Sequence, residues 1–200
     1  MKQLLYVDAC VRGKDSRSRA LAERFLTAYS TVHPEDVILR RDLMQNRLEP
    51  HYPELLAQRD ALAAAGKLDD PMFADAWQFA RADKIIFAAP LWEMTFPAIL
   101  KIYLECVSMR DITFGYEESR LVGRCRAEKL LFITTRGSDY SKPETAWMEA
   151  GTHELKALCA MFGIPEFDLL CAEGLDDERV DVQARMNEAF AHAEEMAKHF

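Results

Sequence analysis

The chain has 200 residues, of which 50% are hydrophobic and 29% are charged, and its formal net charge at pH 7 is −8. This length and composition predict one globular domain spanning residues 1–200. The acidic balance argues against binding of nucleic acid or of an anionic membrane surface, because both require a broad excess of Lys and Arg.

The use of cysteine predicts a reducing, cytoplasmic compartment. The cysteines are widely spaced and none forms a C-x-x-C pair, which indicates neither a disulfide framework nor a metal site; they are Cys10, Cys106, Cys125, Cys159 and Cys171. The opening run MKQLLYVDAC is too short for a signal peptide, and no run reaches the roughly 18 apolar residues of a membrane span.

Short apolar runs alternate with helical patterns from the beginning of the chain to its end. The apolar runs predict strands at 2–8, 36–43, 83–90, 128–135 and 166–173. Apolar residues at helical spacing predict helices at about 16–32, 71–82, 97–109, 147–162 and 177–198. The polar, alanine-rich stretch 44–70 predicts a helical excursion and a loop.

Strands that alternate with helices pair in parallel through right-handed crossovers, and continuous apolar strands are covered by helices on both faces. The pattern therefore predicts an α/β fold with a flavodoxin-like, doubly wound five-stranded parallel sheet of order 2-1-3-4-5, although periodicity alone does not determine the order. Ligands of such a sheet bind beyond the carboxyl ends of its strands, so the loops 8–18, 90–96 and 135–141 are the candidate site.

The first loop, CVRGKDSRS (10–18), gathers basic and hydroxyl residues in an acidic protein. It leads into a helix whose first N–H groups lack partners and carry the positive end of the helix dipole. Ser16 and Ser18 add hydroxyls and Arg12 or Arg17 adds charge, which together indicate a phosphate cradle. Neither G-x-x-x-x-G-K-[ST] nor G-x-G-x-x-G is present. The alternative is that Ser16 only caps the helix and the arginines are solvated.

The second loop, PLWEMTFP (90–97), carries large apolar residues where loops are usually polar. Trp92, Met94 and Phe96 offer a polarizable surface on which a planar ligand could lie. The alternative is that they pack in the core or at a subunit interface.

The third loop is contained in TTRGSDY (134–140). Gly137 lets the backbone approach a ligand closely, and Arg136 and Ser138 supply hydrogen-bond donors. Thr135 adds a hydroxyl and Tyr140 adds a ring. The alternative is an ordinary turn.

Taken together, these segments resemble the FMN-dependent NADH:quinone oxidoreductase and azoreductase family. CVRGKDSRS (10–18) resembles S-x-R-G-x-x-S-x-S, and APLWEMTFPAILKIYLE (89–105) resembles A-P-M-Y-N-F-x-x-P followed by L-K-x-Y-x-D. FGYEESRLVGR (114–124) resembles F-x-Y-x-x-x-G-x-x-G, and TRGS (135–138) resembles S-R-G-G. ELKALCAMFGIPEFDLLCAEG (154–174) resembles Y-L-x-x-x-L-G-F-I-G-I ending in E-G. The resemblance spans almost the whole chain in the same order.

The resemblance implies noncovalently bound FMN, NADH or NADPH as electron donor, a small-molecule electron acceptor and a homodimer. It implies a two-electron ping-pong cycle that needs no catalytic side chain and no metal. The first loop would hold the phosphate and ribityl side, the second would line the isoalloxazine, and the third would contact its polar edge. The implied cofactor-binding residues are Cys10, Ser16, Arg17, Ser18, Pro90, Leu91, Trp92, Glu93, Met94, Thr135, Arg136, Gly137, Ser138 and Tyr140.

Three of these residues depart from the family pattern: Cys10 replaces a serine, Glu93 an asparagine and Ser138 a glycine. Glu93 either turns outward and leaves its backbone to contact the flavin, or lowers the flavin's reduction potential. Two alternatives to the enzyme remain: a flavodoxin-type electron carrier, and a flavin-free dimeric descendant of the family. The sequence names neither the acceptor nor the preferred nicotinamide nucleotide.

Overall fold

A parallel five-stranded sheet forms the centre of the computed structural model, which describes residues 1–45 and 47–200. The strands in chain order are β1 (Gln3–Asp8), β2 (Val37–Asp42), β3 (Lys84–Ala88), β4 (Phe114–Glu117), β5 (Arg120–Gly123), β6 (Lys129–Thr135) and β7 (Glu166–Ala172). The central sheet has the order β2-β1-β3-β6-β7, and all its neighbouring strands are parallel. Counted among these five strands alone, this is the predicted order 2-1-3-4-5.

Helices connect the strands. They are α1 (Arg17–Val32), α2 (Pro53–Ala64), α3 (Ala74–Arg81), α4 (Ala98–Val107), α5 (Pro143–Ala146), α6 (Ala150–Phe162) and α7 (Val182–Ala197). Side-chain caps set the first residues of α1, α6 and α7. Helix α6 begins three residues later than predicted because the Glu149 carboxylate accepts a hydrogen bond from Thr152 N (2.9 Å). Helix α7 begins after Asp181 because that carboxylate caps Ala184 N (3.0 Å). None of the described helices combines the length and the apolar character needed to cross a membrane.

Two apolar layers cover the sheet, one on each face. Side chains alternate along β1, so Leu4 and Tyr6 enter one layer while Leu5 and Val7 enter the other. Helices α1 and α7 close the first layer, and α3, α4 and α6 close the second. The prediction of helices on both faces is confirmed. Burial of all of β3 explains why its sequence after Lys84 is apolar.

A small antiparallel hairpin of β4 and β5 lies outside the central sheet and was not expected from the sequence. Its turn residues Glu118 and Ser119 have φ values of 47° and 66°, a left-handed conformation usually marked by Asn-Gly. The hairpin packs on the end of α6, where a Cβ added to Gly123 would lie 2.0 Å from Gly163 N. Glycine at 123 is therefore required for this close approach.

Candidate cofactor site

Backbone hydrogen bonds continue past the ends of the strands and tie the loops of the candidate site together. Leu91 N donates to Thr135 O (3.0 Å), which links the loops after β3 and β6. Arg136 N donates to Ala172 O (2.9 Å), which adds the segment 173–177 after β7. The carboxyl ends of neighbouring parallel strands thus bring four loops to one edge of the sheet, as expected for this fold.

A cavity of about 210 Å³ opens between these loops. Eight of the predicted residues line it: Ser16, Arg17, Pro90, Leu91, Trp92, Thr135, Arg136 and Gly137. Arg12, Asp15, Leu175 and Asp176 complete the lining. The sequence interpretation missed Leu175 and Asp176, although they follow the last strand at the same edge of the sheet. Extending the rule for loops after parallel strands to this fourth loop would have found them.

The first turn of α1 supplies hydrogen-bond donors at one end of the cavity. Ser16 caps the helix, because its Oγ accepts from Arg19 N (3.3 Å) and its carbonyl accepts from Ala20 N (3.0 Å). The first four N–H groups of a helix have no partner within the helix. The amide of Arg17 therefore remains available at the end of α1 that borders the cavity, whereas Ser18 is fully buried. Ser16 thus caps the helix, and among residues 1–45 and 47–200 no backbone acceptor is seen for the Arg17 amide.

Arg17 spans the mouth of the cavity from α1 to the loop after β7. Its Nη1 donates to Leu175 O (3.3 Å) and to Asp176 Oδ1 (3.4 Å). Both charged side chains remain exposed, by 46% for Arg17 and 77% for Asp176. This contact is therefore a weak surface ion pair that another anion could replace.

Two predicted residues, Cys10 and Ser18, lie behind the cavity wall and are fully buried. Ser18 Oγ and Thr135 Oγ1 share a hydrogen bond of 2.8 Å, which joins the first loop to the third. Cys10 Sγ donates to Ala88 O (3.5 Å), and burial raises the pKa of this thiol far above its ordinary value. The thiol therefore stays protonated at neutral pH.

A buried carboxylate, Asp8, fixes the start of the first loop. Its Oδ1 accepts from Cys10 N (2.9 Å), and its Oδ2 accepts from Arg19 Nε and from Tyr6 Oη. Arg19 Nη2 also donates to Asp42 Oδ2 (2.8 Å), and the two carboxylates outweigh burial and raise the pKa of the guanidinium. This network holds the loop in place without entering the cavity.

The second loop makes a tight turn that exposes its tip. Trp92 and Thr95 exchange backbone hydrogen bonds of 3.2 and 2.9 Å, and between them Glu93 and Met94 have φ values of 48° and 65°. This left-handed backbone directs the Glu93 side chain to solvent. Trp92 is 41% exposed and Met94 44%, so packing in the monomer's core does not explain them. It does explain Phe96, which is 5% exposed.

Arg136 is a buried ion-pair centre rather than a free cation. Its guanidinium is 5% exposed and pairs with Glu149 Oε2 (3.0 Å) and with Glu173 Oε1 (2.8 Å). Nη2 also donates to Thr152 Oγ1 (2.9 Å), which ties the third loop to the start of α6. Within residues 1–45 and 47–200, the buried Arg136 Nε finds no hydrogen-bond acceptor. The side chain therefore offers a ligand one donor and little net charge.

Gly137 allows the third loop to lie close to the loop after β7. A Cβ at this position would lie 2.3 Å from Asp176 Oδ2. The loops are joined further by hydrogen bonds from Asp176 N to Gly137 O (2.9 Å) and from Gly174 N to Ser138 O (3.2 Å). Ser138 is exposed and lines a second, neighbouring cavity of about 410 Å³ instead of the first.

An apolar rim, defined as Trp92, Met94 and Tyr140, borders the open side of the site. Tyr140 Oη lies 3.6 Å from Met94 Sδ, and Met94 O accepts from Ala150 N (2.8 Å). Tyr140 N also donates to Glu173 Oε1 (3.3 Å), within the ion-pair network of the third loop. Of this rim, Trp92 lines the cavity, and the other two residues lie beside it.

A group of possible metal ligands lies at the opposite edge of the sheet. Ligand atoms of His33, Glu35 and Asp36 lie within 4.8 Å of one another. Protein donors already occupy the Asp36 carboxylate, which accepts from Lys2 N (2.6 Å) and from Tyr29 Oη (2.7 Å). We assign no metal to this group.

Comparison with known proteins places the chain among flavodoxin-like proteins. A family model described as having a flavodoxin-like fold matches residues 2–197. The chain is 33% identical to a protein from Caldicellulosiruptor saccharolyticus named FMN-dependent NADH:quinone oxidoreductase. This alignment spans 201 residues and covers 100% of both chains. The azoreductase of Bacillus anthracis strain Sterne superposes with a TM-score of 0.89 at 25% identity over 100% of both chains. An FMN-dependent NADH-azoreductase from strain Ames Ancestor, solved in complex with FMN, superposes with a TM-score of 0.88 at 21% identity, covering 100% of this chain and 99% of that one.

Proposed function

Since the chain belongs to the family of FMN-dependent NADH:quinone oxidoreductases with a flavodoxin-like fold, we propose that it binds FMN and is an oxidoreductase. It would transfer two electrons from NADH or NADPH to quinones, azo compounds or similar electrophilic acceptors. One observation carries the proposal: a single cavity joins a helix N-terminus and two arginines at one end to an exposed indole at the other. This combination suits a ligand with an anionic tail and a planar head.

The donors around the cavity fit both ends of FMN. At the anionic end, the amide of Arg17 and the guanidinium groups of Arg12 and Arg17 would hold the phosphate. At the planar end, the buried Arg136 Nε lacks a partner among the described residues and would donate to a polar edge of the ring.

When bound, FMN supplies a two-electron carrier that accepts hydride from the nicotinamide and reduces the acceptor. The chain's own residues would bind the flavin and orient the donor and the acceptor beside it. Trp92 covers part of the planar end, while Met94 and Tyr140 extend an apolar surface on which donor and acceptor would lie in turn. Because the Glu93 side chain is exposed at the tip of the second loop, its backbone and not its carboxylate would contact the flavin.

We propose a ping-pong cycle, because the electron donor and the acceptor would occupy the same apolar surface in turn. Initial rates measured at several acceptor concentrations should give parallel double-reciprocal lines against NADH. Intersecting lines would mean that donor and acceptor bind together, which contradicts the cycle.

The visible absorption spectrum of the protein before and after addition of FMN tests the proposal as a whole. We expect a protein-bound flavin band that NADH bleaches in the absence of air. Protein that retains no FMN, even after FMN is added, would overturn the proposal and favour a flavin-free descendant. A bound flavin that forms a stable semiquinone and is not reduced by NADH would favour an electron carrier.

We propose a homodimer as part of the same function. A groove of about 270 Å³ beside α4 is lined mainly by partly exposed apolar residues, which a second copy could cover; its residues are Leu43, Met44, Arg47, Leu48, Glu49, Ile99 and Ile102. Sedimentation velocity should give twice the monomer mass, and a monomer at micromolar concentration would contradict it. A cytoplasmic location is proposed on the ground that all five cysteines are free.

A further inference from the structure

Asp176 places a carboxylate at the anionic end of the cavity. Its Oδ1 lies 3.4 Å from Arg17 Nη1, and its Oδ2 lies directly over Gly137. The hydrogen bond from Asp176 N to Gly137 O (2.9 Å) fixes the backbone of this residue against the third loop. The carboxylate therefore stays close to the cavity even though its side chain is 77% exposed.

The charges around the cavity balance. Arg12 and Arg17 contribute two positive charges, and Asp15 and Asp176 contribute two negative charges. The remaining cation, Arg136, is already paired with two carboxylates. A phosphate dianion therefore meets side chains with no net positive charge. Of the two lining acids, Asp176 is the one that contacts Arg17.

We propose that Asp176 competes with the phosphate of FMN for Arg17 and so limits the contribution of that phosphate to cofactor affinity. This inference rests on the proposed function. Binding of the phosphate requires Arg17 to exchange one anion for another, while Asp176 remains nearby and repels the phosphate. Asp176 thereby sets how strongly the protein distinguishes FMN from riboflavin, which has the same ring and no phosphate.

The variant Asp176→Asn keeps the size of the side chain and removes its charge. Flavin fluorescence titrations at low salt should show FMN bound about fivefold more tightly by this variant than by the wild type, since interactions between partly exposed charges are of this order. Riboflavin affinity should not change. The difference for FMN should shrink at high salt, because salt screens exposed charges.

Asp177→Asn is the matched control. Asp177 is the next residue along the chain, but it lines the second cavity and not the first, and it pairs with Arg179 Nη2 (2.7 Å). Neither FMN nor riboflavin affinity should change in this variant. Thermal melts of both variants check that folding is intact.

The outcomes separate the inference from the function on which it rests. Unchanged or weaker FMN binding by Asp176→Asn overturns the inference while the proposed function stands. An equal gain for riboflavin also overturns it, because the effect would then not concern the phosphate. Failure of the wild type and both variants to bind either flavin overturns the proposed function, and the inference with it.

Discussion

The two ends of the cavity are built in different ways. The end at α1 is held by buried groups: the Ser18–Thr135 hydroxyl pair, the Ser16 cap and the Asp8 carboxylate behind them. The end at the second loop is an exposed turn with two left-handed residues and a half-exposed Trp92. The first arrangement holds one ligand group in one geometry, whereas the second can adapt to several. Cofactor binding would thus depend on the buried end and the choice of acceptor on the exposed one.

The largest expected effect is at the buried ion pair of the third loop. Arg136→Met would leave Glu149 and Glu173 without their shared cation, and we expect a loss of about 3–5 kcal/mol in the free energy of unfolding. Urea denaturation measures this loss. Arg17→Met is the control, because its exposed pair should cost less than about 1 kcal/mol. Equal losses of unfolding free energy in the two variants would show that the buried ion pair is no more important for stability than the exposed one.

The next effect is at the hydroxyl pair. Ser18→Ala leaves the buried Thr135 hydroxyl without its partner, and we expect a loss of about 1–2 kcal/mol in the free energy of unfolding. The control is Ser30→Ala in the same helix. Ser30 is exposed, and its hydroxyl donates to Leu26 O within that helix (2.9 Å). If the control lost as much stability as Ser18→Ala, the pair would not be what joins the two loops.

The exposed end should respond in kinetics rather than in stability. Trp92→Ala removes the aromatic surface that lines the cavity, and we expect the KM for a planar acceptor to rise about five- to tenfold. The free energy of unfolding should stay within about 0.5 kcal/mol of the wild type. Tyr52→Ala removes an aromatic residue that is 63% exposed elsewhere, and should change neither quantity. An unchanged KM in Trp92→Ala would remove Trp92 from the proposed acceptor surface.

The smallest effect concerns the turn itself. Glu93 has a φ of 48°, which costs most L-residues about 1–2 kcal/mol and asparagine less. Glu93→Asn should therefore raise the free energy of unfolding by about 0.5 kcal/mol. Glu54→Asn, an exposed residue in the first turn of α2, should give no such gain. Lower stability in Glu93→Asn would mean that the glutamate makes a compensating contact.

The elements that could be predicted from the sequence are those set by local patterns. Strand β3 is apolar after Lys84 because both faces of the sheet are covered there, and the Ser16 cap is encoded within four residues. The hairpin of β4 and β5 was missed because Glu118 and Ser119 adopt a turn conformation that their residue types do not indicate. Its position depends instead on the distant contact between Gly123 and Gly163.

In the candidate site, too, features set by local sequence could be predicted and features set by distant contacts could not. The three loops were predicted from their place after strands, and the backbone brings them together as expected. The role of Arg136 could not be predicted, because its partners Glu149 and Glu173 come from separate segments that meet only in the folded chain. The place of Asp176 in the loop after β7 follows from the rule for parallel strands, but its contacts with Arg17 and Gly137 arise only in the folded chain.

The hydrogen bonds that continue beyond the strands have a consequence for amide exchange with deuterated solvent. Ala9 N and Ala89 N donate to Ala88 O (2.9 Å) and Ile133 O (3.1 Å), so the layer that leads into the lining residues Pro90 and Leu91, here called the floor, is an extension of the sheet. Leu91 N, whose residue lines the cavity, continues this pattern by donating to Thr135 O (3.0 Å). Amides of this kind exchange only when the surrounding cooperative unit opens. The floor should then exchange as slowly as the core strands. The cavity's base would be lost only with the fold itself, on the timescale of global unfolding.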